Sequence, residues 1–88
     1  MLLAKDYMRQ HRDQLLRDAL DVLDRHDKQV KYGIAPSLSE WEIRQVAVYA
    51  QDLRDVPQQV GFPSTILWPT PPKGLNRDKH EDHLKIAV

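Results

Sequence analysis

Eighty-eight residues without a cysteine, with thirteen basic and thirteen acidic side chains, exclude disulfide scaffolding, thiolate metal sites and thiol nucleophiles. The zero net charge argues against a general attraction to nucleic acid or to an anionic membrane. A chain this short forms one small domain with a thin core, to which a partner or self-association into a homo-oligomer would add buried surface.

No run approaches the roughly 20 apolar residues of a membrane span. Leu2-Leu3-Ala4 meets Lys5 and Asp6 at once, so no signal-peptide core is predicted.

The chain opens on a long stretch with no glycine or proline before Gly33. Its apolar positions are Leu3, Tyr7, Met8, Leu15, Leu16, Ala19, Leu20, Val22 and Leu23. From Met8 onward they recur at spacings of three, four and seven, the mark of one buried helical stripe, and predict a helix from about residue 3 to 29. The remaining faces alternate acid and base. Asp13 with Arg17 and Asp24 with Lys28 stand acid first at i,i+4, pairs that contribute roughly 0.2–0.5 kcal/mol each. Mixed signs of this kind describe a solvated surface rather than a site for a polyion.

Gly33 and Pro36 end that helix, glycine by adopting the left-handed conformation and proline by lacking an amide proton. Ser39 and Glu42 stand in the Ser-x-x-Glu spacing of a capping box, so a second helix is expected to begin near Glu40. Ile43, Val46, Ala47, Ala50, Leu53 and Val56 form its apolar stripe, flanked by Trp41 and Tyr49, and it ends before Pro57. A short connection between two such stripes favours an antiparallel hairpin, because both are buried only if the chain folds back. The second helix is the shorter. Leu3, Tyr7 and Met8 are left for the Ile66–Trp68 segment or another subunit to cover.

Beyond Pro57 a loop carrying Gly61 and Pro63 leads to Ile66-Leu67-Trp68, and then Pro69, Pro71 and Pro72 hold the backbone extended. The fold class expected is therefore all-α: a two-helix hairpin, an extended proline-rich segment, and a short tail. The domain reading is 1–72 for the hairpin and its segment and 73–88 for the tail.

Three blocks carry a family resemblance. They are Arg12-Asp13-Gln14-Leu15-Leu16; Tyr49-x-Gln51-x-Leu53-Arg54-Asp55-Val56-Pro57-x-Gln59-x-Gly61-Phe62-Pro63; and Ile66-x-Trp68-Pro69-x-Pro71. Together they resemble the tail assembly chaperone family of tailed bacteriophages, and similar Trp-Pro endings occur in tail-fibre assembly proteins. The chain departs from the family pattern at Ala50, Asp52 and Val46, and Trp41 lies upstream of the family's usual tryptophan. Residues 73 to 88 extend past the family's usual end.

The resemblance implies a non-enzymatic protein of the host cytoplasm during assembly that binds a phage tail or tail-fibre protein. A structural component that stays in the virion tail, joining fibre to baseplate, is the alternative. The residues expected to meet a partner are Phe62, Ile66, Leu67, Trp68, Pro69 and Arg54. Prolines lower the ordering cost of docking, and Trp and Arg often dominate interface energies. Two roles stay open: Trp68 packs on its own hairpin or reaches a partner, and Arg54 caps α-helical carbonyls locally or contacts a client.

His80-Glu81-Asp82-His83 is the one cluster with metal-ligand chemistry. Two imidazoles on one helical face fall short of a stable site, so no metal and no cofactor is expected. His11 and His26 read as surface. The sequence has no phosphate-binding glycine loop, no Gly-x-Ser-x-Gly and no His-Glu-x-x-His, and an enzyme is not expected.

Overall fold

The computed structural model describes residues 3–75. Within them the chain forms two long α-helices, α1 (Ala4–Lys31) and α2 (Glu40–Asp55), a 3-10 turn (Val56–Gln58) and helical residues at 73–75, with no strand among the described residues. The all-α class read from the spacing of apolar residues is therefore the class observed. The cluster His80–His83 and most of the expected tail lie outside the described residues.

Capping explains where each helix starts and stops. Leu3 has no side-chain acceptor, so α1 begins with half a capping box, in which the Leu3 N–H donates to Asp6 Oδ2 at 3.2 Å. At its far end α1 closes in a Schellman turn. The Ile34 N–H donates to the Gln29 carbonyl (2.8 Å), the Gly33 N–H donates to the Val30 carbonyl (3.3 Å), and Gly33 takes φ +69°. The helix runs two residues past the expected end near 29, because nothing before Gly33 breaks it and Lys28 and Lys31 in the last turn suit the negative end of the helix dipole.

The link to α2 is fastened by one side chain. Gln29 Oε1 accepts from the Ser37 N–H while Gln29 Nε2 donates to Ser37 Oγ, both at 3.2 Å. The predicted capping box then starts α2: Glu42 N–H donates to Ser39 Oγ (3.2 Å), and Ser39 N–H donates to Glu42 Oε1 (2.9 Å).

The two helices pack through Ala19 and Val22 of α1 and Val46, Tyr49, Ala50 and Leu53 of α2, with Leu15, Leu16, Leu23 and Ile43 half-buried around them. Two core members come from outside α1 and α2. Leu38 precedes the cap of α2 and Leu75 follows the proline segment, and both are buried in the same cluster.

Tyr49 was expected at the flank of the stripe and is buried, 4 % exposed, because it sits at i+3 from Val46 and i−4 from Leu53 on one face. Ala47, expected within the stripe, is exposed. Burial pushes the Tyr49 hydroxyl above its usual range, and the nearby Asp18 carboxylate adds to the shift. Of the two expected ion pairs, Asp24 and Lys28 meet at 3.0 Å on an exposed face. Asp13 lies 2.8 Å from Arg12 Nε.

Candidate functional site

At 1.5 Å rise per residue, α1 is about 42 Å long and α2 about 24 Å, so α2 covers only part of α1. The chain beyond α2 folds against part of what is left, at Arg9 and His11, while Leu3 and Tyr7, expected to be covered by it or by another subunit, stay exposed. Val56, at the head of the 3-10 turn, is fully buried. From there the chain turns through residues 59–65, with hydrogen bonds from Phe62 N–H to the Gln59 carbonyl (3.1 Å) and from Thr65 N–H to the Gly61 carbonyl (2.7 Å). The Phe62–Pro63 peptide is cis.

Glycine is required at 61 by space rather than by dihedral angle. A Cβ there would lie 2.5 Å from the Thr65 carbonyl oxygen, which is backbone and cannot swing aside.

Residues 66–72 take neither helix nor strand, and, besides the packing of Trp68 on the core, three contacts hold them and the loop before them. Arg9 sets its guanidinium 5.6 Å from the centre of the Phe62 ring, a cation–π distance. His11 meets Trp68 edge to face, ring centres 4.9 Å apart and planes at 89°, a favourable aromatic geometry. Trp68 also packs against the core cluster. The third contact is a clamp: Gln59 Nε2 donates to the Leu67 carbonyl and the Leu67 N–H donates to Gln59 Oε1, each at 2.9 Å. A primary amide presents one donor and one acceptor side by side, so Gln59 satisfies both backbone groups of Leu67 at once.

The six residues singled out in the sequence therefore occupy different settings. Phe62, Ile66, Trp68 and Pro69 are half-buried, with Phe62 and Trp68 against the first three turns of α1. Leu67 points outward, 80 % exposed. Arg54 is exposed in the last turn of α2. The structure brings Phe62 and Trp68 to one end of α1. Leu67 is tied to the same loop through Gln59.

Several features escaped the sequence reading. Val60 is completely exposed, at 106 %, on the loop that holds Gln59. Trp41 is 68 % exposed and borders a groove of about 290 Å³ with Glu42, Gln45, Pro72, Lys73 and Gly74. His11 has a ring partner, and His26 is half-buried with its Nδ1 lacking a hydrogen-bond partner among the described residues. Helical spacing alone could have put His11 one turn beyond Tyr7; nothing in the sequence said that Trp68 would return to it.

Among the described residues, no group of three or more His, Cys, Asp or Glu could hold a metal ion. No described helix is long and apolar enough to cross a membrane. The class of the chain is a small, mostly helical protein built on two long helices that pack together.

Comparison with known proteins gives that class a family. Residues 5–73 match the family described as phage tail assembly chaperone protein, and the chain belongs to it. No curated protein and no solved structure matches.

Proposed function

We propose that this chain is a non-enzymatic assembly chaperone that binds a phage tail or tail-fibre protein through the segment following α2, on a scaffold formed by α1 and α2 as an antiparallel hairpin. The observation that carries the reading is Leu67, a large apolar side chain held outward by the Gln59 clamp in a chain of the tail assembly chaperone family. Ordering that segment in advance removes an entropic cost that binding would otherwise meet.

The clamp also bears on the mode of binding. An extended segment with open backbone groups invites strand addition, but Gln59 already occupies the N–H and carbonyl of Leu67. Side chains carry the contact at that point: Leu67 enters a client pocket, Phe62, Ile66, Trp68 and Pro69 shape the surface around it, and Arg54 lies at the rim. Trp68 rests on His11 and the core and so supports the segment as well as contributing its remaining open edge. The chaperone acts in the host cytoplasm and leaves before the tail is finished.

Co-expression of the chain with the tail proteins encoded beside it, followed by co-purification, tests this function. A stable complex with one tail or fibre protein is expected, and recovery of the chain alone in every pairing contradicts it. A virion component joining fibre to baseplate is the second reading, favoured by residues 74–88 lying outside the family match. Mass spectrometry of purified particles separates the two: a chaperone is missing from them, whereas a component is present in fixed stoichiometry.

A further inference from the structure

Resting on that functional reading, we infer that His11 is a positioning residue for the segment: through Trp68 it sets the direction in which Leu67 is presented to the client. Met8, His11, Leu15, Ala19 and Val22 follow one another at spacings of three, four, four and three. His11 therefore stands on the stripe of α1 that farther along carries the buried Ala19 and Val22. Hydropathy alone does not account for a histidine in that register. His11 is exposed, and it meets the Trp68 ring edge to face, with ring centres 4.9 Å apart and planes at 89°.

The effect reaches Leu67 through one peptide. Ile66 and Trp68 are half-buried, while Leu67 between them is 80 % exposed. Side chains thus alternate in and out along this run, as they do on extended backbone, and anchoring Trp68 inward turns its neighbour outward.

The Gln59 clamp cannot supply that direction by itself. Gln59 holds the N–H and carbonyl of Leu67, but it belongs to the loop before the segment, so the clamp joins loop to segment and ties neither to α1. The ring contacts with α1 are Arg9 to Phe62 and His11 to Trp68. Positions 9 and 11 lie about 200° apart around the helix, so the two contacts leave it on different sides and neither stands in for the other. Residues 56–72 bring no Asp, Glu, Lys, Arg or His to His11. The contact is one of ring geometry, which phenylalanine reproduces and alanine does not.

Amide hydrogen exchange of the full chain, read by NMR, tests the inference without a client. His11→Ala should speed exchange at the Leu67 N–H by roughly threefold to tenfold, the range set by one aromatic pair. The Ile34 N–H, bonded to the Gln29 carbonyl at the far end of α1, should keep its rate, because local opening there does not involve the segment. His11→Phe should restore the Leu67 rate, and on a Trp68→Ala background His11→Ala should change it no further. Affinity for the co-purified tail protein should fall over the same range in His11→Ala and return in His11→Phe.

An unchanged Leu67 rate in His11→Ala overturns the inference, since the core alone would then hold Trp68. Equal acceleration at Leu67 and Ile34, no restoration by His11→Phe, a further change on the Trp68→Ala background, or a client bound equally by His11→Ala does the same. Failure to recover any tail protein, or a client that Leu67→Ser binds undiminished, strikes the functional reading instead, and the exchange rates still decide the role of His11.

Discussion

The two ends of α1 are covered in contrasting ways. Toward its C-terminal half α2 lies on it, and Ala19, Val22, Val46, Ala50 and Leu53 are all but inaccessible to water. Toward its N-terminal half the cover is a loop and a proline segment, held by a cation–π contact, an edge-to-face ring pair and a glutamine clamp. The first end is apolar, continuous and built from two regular helices. The second keeps its anchors half-buried and turns Val60 and Leu67 outward. On the proposed function the first end chiefly stabilises the fold and the second meets the client, so substitutions at the two should have separable effects.

Substitutions should separate the ends. The largest effect is expected from Leu53→Ala, which empties a fully buried site in the helix–helix core. It should cost about 2–5 kcal/mol, read as a lower urea midpoint with helical circular dichroism lost at lower denaturant.

Trp68→Ala with Ile66→Ala strips half-buried side chains from the other end. Its cost should be smaller, with far-ultraviolet helicity nearly intact in the absence of denaturant and client binding weakened. A collapse of the helical signal would show that the segment belongs to the folding core and would erase the contrast.

Ser39→Ala removes the hydroxyl that accepts from Glu42 N–H. It should cost about 1 kcal/mol by thermal or urea unfolding without touching the segment.

The smallest effect concerns pH. Tyr49 has a folded pKa raised above its ordinary 10.0, first by burial and then by Asp18. The folded state thus holds the phenolic proton more tightly than the unfolded chain does. The associated stability is complete below the unfolded value and is lost as pH rises through the folded one. Unfolding midpoints should therefore fall in the alkaline range for the natural chain, and Tyr49→Phe should flatten that fall.

Much of the helical end was legible in the sequence. Apolar spacing located both helices, Gly33 announced the Schellman turn, and Ser39 with Glu42 announced the cap of α2. Tyr49 was misjudged as a flank because an amphipathic tyrosine is at home both at an edge and in a core; only the helix register places it between Val46 and Leu53.

The other end was harder to read for a physical reason. An apolar run before prolines has the same composition whether it faces its own helix or a client, so the role of Trp68 could not be decided locally. The pairing of His11 with Trp68 joins residues far apart in the chain, and Gln59 belongs to no periodic pattern. Leu38 reaches the core from irregular backbone, where hydrophobic periodicity has nothing to report, and Leu75 from residues 73–75, too short a helical stretch to show a period.

Leu67 offers the most direct test of the division between a folding end and a binding end. Its side chain is exposed and its backbone is held by Gln59, so Leu67→Ser should change unfolding free energy by no more than about 0.5 kcal/mol. The decisive measurement is the affinity of Leu67→Ser for the co-purified tail protein, set beside its urea midpoint. The account predicts an unchanged midpoint and a marked loss of affinity; unchanged affinity at an unchanged midpoint would contradict it.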